Sequence, residues 1–196
     1  MINEQFVIVG AVLNFIGGIS YLIDTLKGKV KPNKVTWFLW ALAPLIAFAA
    51  EIKQGVGIQA LMTFTVGFNP LLIFIASFVN KKSQWKLTSL DYICGVLSIL
   101  GIILWLATDV GDVAILFSIC ADALAAVPTI IKAYNEPKTE SYMPFLGGML
   151  AAGLTLLTIT QWNIAHSAFP LYIFIINIFM VVLIMFEPGK HLKNTA

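Results

Sequence analysis

The sequence contains no arginine, and its only basic residues besides two histidines are 12 lysines. Charged residues make up 11% of the 196-residue chain, against roughly a quarter in soluble domains. A net charge of +2 is too small for a nucleic-acid footprint. Cysteine is equally scarce. Cys94 and Cys120 lie far apart in apolar runs, so a disulfide framework and a CxxC metal or redox site are both excluded, and small apolar packing is their expected role. No HExxH, glycine-rich phosphate loop or Ser/His/Asp set occurs. His166 and His191 stand apart, and the run 164–186 lacks the lysine that a retinal protein needs. The chain is therefore expected not to be an enzyme, with no catalytic residues, metal or cofactor.

What is present is apolar sequence. Hydrophobic residues account for 59% and mean hydropathy is +0.90. A chain this short cannot bury so much apolar surface in one aqueous core, which leaves lipid as its solvent. Runs long enough to span the bilayer occur at about 5–25, 35–51, 56–79, 90–107, 110–132, 143–161 and 164–186,. Backbone groups in hydrocarbon must pair internally, so these runs are helices, and they are too continuous for a membrane barrel. The N-terminal stretch has an acidic residue where a signal peptide needs basic ones and no clear small-x-small cleavage site, so the first run is expected to be a retained helix. The expected fold is all-α, with seven transmembrane helices.

The lysines set the orientation. Lys27, Lys29, Lys31 and Lys34 follow the first run, Lys81, Lys82 and Lys86 the third, Lys132 and Lys138 the fifth, and Lys190 and Lys193 the seventh. Only Lys53 falls on the other side, with Glu51, Asp109 and Asp112. The positive-inside rule then puts the N-terminus outside and the C-terminus in the cytoplasm. Six or eight spans would scatter the lysines.

The odd count fits an internal repeat. Aligning KVKPNKVTWFLW with YNEPKTESYMPF pairs Pro32 with Pro137, Thr36 with Ser141, Trp37 with Tyr142 and Trp40 with Phe145, and Lys27 with Lys132 upstream, all 105 apart. Asn69 and Asn177 are 108 apart. A three-helix unit that starts outside ends inside, so one linker helix lets a second copy run parallel to the first. The expected organisation is a first three-helix repeat over 1–80, a linker helix within 81–108, and a second repeat with a short tail over 109–196.

The stretch AAVPTIIKAYNEPKTESYMPFLGGM resembles the fifth-to-sixth-helix signature of the SWEET sugar transporters and the wider PQ-loop (MtN3/saliva) superfamily. Pro128, Lys138, Thr139, Ser141, Met143, Pro144 and Phe145 carry the likeness. The likeness is specific over this stretch and topological elsewhere. Ile23-Asp24 and Pro128-Thr129 stand where PQ-loop proteins have Pro-Gln, and helix one has no proline. Lys53 and Thr158 stand near the positions of the family's pocket tryptophans. The resemblance implies a 3+1+3 transporter in which Pro44, Pro128 and Pro144 act as hinges, Asn69 and Asn177 form the family's asparagine pair, and the solute is a sugar. Amino-acid or vitamin transport, and a non-transporting receptor or assembly protein, are the alternatives.

The residues themselves give a parallel reading. Asn69 and Asn177 sit mid-membrane, where an amide must find partners. They suit either a clamp for hydroxyls or interhelical bonds. Asp122 is an intramembrane acid able to carry a proton, or a group facing a watery vestibule, and Asn14 is its counterpart in the first repeat. Gly17-Gly18 and the stretch from Gly147 to Gly153 allow close helix approach. Trp37, Trp40, Trp85, Trp105 and Trp162 are expected in interfacial belts. The expected partners are the bilayer and a small solute; a homo-oligomer is compatible with the sequence. The expected location is a cell membrane, a bacterial inner membrane by size and lack of signal.

Overall fold

The computed structural model describes residues 2–107 and 111–188, with the side chains of residues 101, 105, 106, 111 and 114 outside the description. The Trp105 side chain and residues Asp109, Lys190, His191 and Lys193 therefore lie outside the description. The helices are α1 (Phe6–Leu26), α2 (Lys34–Lys53), α3 (Ala60–Ala76), α4 (Ser89–Leu106), α5 (Gly111–Asn135), α6 (Met143–Thr158) and α7 (Ile164–Phe186), with single 3-10 turns at Lys81–Ser83 and Pro137–Thr139. No strand occurs among the described residues, in line with the helical reading of the apolar runs.

Phe6–Leu26, Lys34–Lys53, Ile115–Asn135 and Ile164–Phe186 are long and apolar enough to cross a membrane. Ala60–Ala76 and Met143–Thr158 are apolar but shorter. The run expected at 56–79 loses its first residues to a turn at Gly55, whose φ of +77° belongs to the left-handed region,. The run expected at 143–161 stops at Thr158, because Ile159 turns extended. The α5 helix instead runs past its expected end, to Asn135, so Lys132 belongs to its last turn rather than to a loop.

The faces of the helices are inverted relative to a water-soluble protein. Along α1, Val9, Val12, Ile16, Ile19 and Ile23 are exposed while Gly10, Asn14, Gly17, Gly18 and Thr25 are buried. Along α4, Ile93, Val96, Leu97, Leu100 and Leu104 are exposed. Large apolar side chains outside and small or polar ones inside suit a hydrocarbon solvent, where packing and hydrogen bonds join helices. Together with the long apolar helices, this pattern is compatible with a multi-pass membrane protein.

In the first half, α3 packs against both α1 and α2; in the second, α7 packs against both α5 and α6. The halves meet where α1 packs on α6 and α2 on α5, while α4 lies against α5 and α2. The α1–α6 contact is close: a Cβ on Gly17 would stand 2.5 Å from the Met143 carbonyl oxygen, and one on Gly147 2.8 Å from that of Leu13. Two buried apolar clusters follow. One holds Ala47, Met62, Ile115, Ala151, Phe169 and Ile173. The other, toward the lysine-bearing end, holds Tyr21, Trp37, Trp40, Phe145, Met180 and Leu183.

Candidate functional site

A cavity with about 540 Å³ of empty volume, its open mouth included, lies between these clusters. It draws one polar side chain from each of four helices: Asn14 from α1, Asn69 from α3, Asp122 from α5 and Asn177 from α7. All four are buried. The positions anticipated from the sequence as solute-binding are thus brought together. Their spacing is regular as well, since Asn14 and Asp122 are 108 apart, as are Asn69 and Asn177.

Each amide is held by its neighbours. Asn14 donates to Thr65 Oγ1 at 3.1 Å, and Asn69 donates to the Asn14 carbonyl oxygen at 2.9 Å and to its Oδ1 at 3.2 Å. Asn177 donates back along α7 to the Ile173 carbonyl oxygen at 2.8 Å. Two glycines make room for the pair. A Cβ on Gly18 would lie 2.5 Å from Asn69 Cγ, and one on Gly148 3.0 Å from Asn177 Nδ2. With the Asn69 NH₂ group committed to Asn14, its Oδ1 stays buried without a partner. A buried acceptor in that state is poised for a donor, because leaving it unmet carries its desolvation cost.

Asp122 accepts a 2.5 Å hydrogen bond from the Tyr172 hydroxyl. The Asp122 backbone carbonyl accepts from Trp40 Nε1 at 3.4 Å, and Ser118, one turn earlier, donates to the Ala43 carbonyl oxygen at 2.8 Å. The α2–α5 contact therefore fixes the acid's height beside the cavity. Among the described lining residues none is basic. Lys132, the lysine in α5, is bonded elsewhere.

The belt expectation fails for two tryptophans. Trp37 and Trp40 are 2% and 9% exposed and line the cavity with Phe145. Their rings lie 5.4 Å apart at 82°, and Trp40 meets Phe145 at 5.9 Å and 77°. Trp37 Nε1 is buried without a partner. They sit early in α2, so their nearness to a helix end concealed a lining role. Trp162, 64% exposed, keeps a surface position. Packing holds for buried Cys94, whereas Cys120 is exposed.

The prolines divide. Pro44 and Pro128 lie inside α2 and α5, where each removes an intrahelical bond,. Pro144 lines the cavity but occupies the first turn of α6, where a proline breaks no such bond,; it starts that helix rather than interrupting it. The sequence reading passed over Pro70, beside Asn69 in α3 and in the cavity lining, and Pro170 in α7. A proline within an apolar run was the available signal. No family model, curated protein or solved structure matches the chain.

Proposed function

We propose that this chain is a membrane transporter that carries a small polar solute by alternating access between two three-helix bundles, α1–α3 and α5–α7, joined by α4 in a 3+1+3 plan with the N-terminus outside. The observation that carries this reading is the convergence of Asn14, Asn69, Asp122 and Asn177, equally spaced across the two halves, on one cavity. Membrane polar groups that serve only as glue need not meet at a void; groups on a solute path must. The matched contacts α1–α6 and α2–α5 support a rocking interface, and Pro44 and Pro128 supply bending points.

A sugar is the first solute, by the resemblance to SWEET and PQ-loop transporters. The unpartnered Asn69 Oδ1 and Trp37 Nε1 suit hydroxyls, which both donate and accept, and indole faces suit the apolar face of a pyranose. A second reading, an amino-acid-like solute with an ammonium group, is favoured by Asp122 beside Trp40,. The deciding experiment is an uptake screen in proteoliposomes with sugars, amino acids and vitamins, repeated with Asn69→Ala and Asn177→Ala. Uptake of one class, lost in both variants, supports the reading. No uptake of any class points to a receptor or assembly protein, and full activity in both variants removes the asparagine clamp.

A further inference from the structure

Lys132 and Glu140 form an ion pair at 2.5 Å whose side chains are 1% and 0% exposed. Buried ions are costly unless paired and fully hydrogen-bonded, and this pair meets that condition by reaching into the other half. Glu140 receives the Tyr21 hydroxyl at 2.6 Å, and Lys132 donates to the Lys31 carbonyl oxygen. The Lys31 amide in turn donates to the Thr139 carbonyl oxygen at 3.0 Å. Trp85, from the segment before α4, covers the ammonium, its ring centre 4.8 Å away.

The location gives the cluster its meaning. Trp37 lines the cavity, and the Tyr21 ring, which is not part of the lining, packs against it with centroids 4.7 Å apart. Contacts thus run from Trp37 through Tyr21 and Glu140 to Lys132, beside the lysine-bearing segment that includes Lys31. Lys132 and Glu140 both belong to the second half, at the end of α5 and just after the Pro137–Thr139 turn; Tyr21 and Lys31 belong to the first. Separating the halves at this end therefore breaks hydrogen bonds but never the ion pair, which travels with one half.

We propose that Tyr21, Lys132 and Glu140 are a latch that closes the cavity toward the lysine-bearing end, in which a preassembled ion pair of the second half docks onto the hydroxyl and carbonyl of the first. The latch occurs once. Thr129 stands 108 residues after Tyr21, and Val35 stands 105 residues before Glu140, so the repeat offers no second copy. This rests on the transport reading, because a latch needs a cavity that opens.

The test is thiol labelling, which needs no solute. Ile176→Cys, in the cavity lining, is placed in a Cys94→Ala/Cys120→Ser background in liposomes. A membrane-impermeant maleimide is applied from the lysine-bearing side, which exposed Lys138→Cys identifies. Tyr21→Phe keeps the ring and leaves no charge unpaired. It is expected to speed labelling of Ile176→Cys about tenfold or more, the population shift that follows loss of one charge-assisted bond. The double variant Lys132→Met/Glu140→Gln is expected to do the same. Unchanged labelling in folded Tyr21→Phe overturns the latch. So does an otherwise unaltered chain whose Ile176→Cys reacts from that side as fast as Lys138→Cys, a measurement that requires no latch variant to fold. Flat labelling leaves transport standing, and a failed uptake screen leaves the labelling result readable.

Discussion

The Tyr172 hydroxyl donates to Asp122 at 2.5 Å, and the positions 108 residues earlier hold no such pair. Phe64 stands 108 residues before Tyr172, and Asn14 stands 108 before Asp122. The cavity therefore has an amide side, where Asn14, Thr65 and Asn69 bond one another, and an acid side, where a carboxyl is steered by a phenol. On the transport reading, a solute bound between them would meet two chemistries and so take a preferred orientation.

Asp122→Asn makes the two sides alike. An amide oxygen still accepts from Tyr172, so the variant is expected to fold with little change in Tm. If the solute carries an ammonium group, its uptake falls about tenfold or more, the equivalent of ~1.4 kcal/mol or more of lost binding; a neutral sugar is affected far less. Competition uptake with matched charged and neutral solutes separates the two. Equal effects on both would remove Asp122 as a charge-reading residue.

Gly17 and Gly18 are adjacent but face different obstacles. A methyl at Gly17 meets the Met143 carbonyl oxygen at 2.5 Å, which is backbone and cannot move aside, whereas one at Gly18 meets the Asn69 side chain. Gly17→Ala is expected to loosen the α1–α6 contact and cost stability, by about 1–3 kcal/mol as overpacking does. Gly18→Ala is expected to displace Asn69 and lower uptake more than Tm. Thermal unfolding in detergent, read beside uptake, checks the contrast; a larger Tm loss for Gly18→Ala would refute it.

Asn33 serves two helices at once. Its Oδ1 caps α2 by accepting from the Val35 amide at 3.1 Å, while its Nδ2 donates to Asp91 in the first turn of α4. Asn33→Ala is expected to cost about 1–2 kcal/mol from the cap alone. Asn33→Asp keeps the cap yet sets a second carboxylate against buried Asp91, so it is expected to be at least as destabilising. Protease resistance of the two variants ranks them; a stable Asn33→Asp would show that Asp91 does not rely on Asn33.

Much of the architecture could be read from the chain, because a membrane helix writes its span into a run of apolar residues. Most boundaries moved by only a few residues; α3, which begins only after the turn at Gly55, moved furthest, and the ends of α5 and α6 moved next, in opposite directions. The four polar positions were legible for a related reason: an amide or acid amid leucines and isoleucines is conspicuous. Trp37 and Trp40 were not, since a tryptophan near a helix end has the same sequence signature whether it faces headgroups or a cavity. Lys132 reads as a loop charge on a basic side, and Glu140 carries no signal of its own. Nothing local to them says that Tyr21, 119 residues from Glu140, will supply the missing bond.

The sequence by itself determined that the chain is helical and lipid-compatible, where its helices run, and which polar groups must find partners away from water. Those properties follow from composition and spacing, which act within a single helix. Only the tertiary structure decided that Asn14, Asn69, Asp122 and Asn177 share one cavity, that indoles line it, and that an ion pair of one half docks on the other. These depend on which helix faces meet. That choice is made by the close approach of Gly17 and Gly147 and by hydrogen bonds between distant segments, terms that no single stretch of sequence contains.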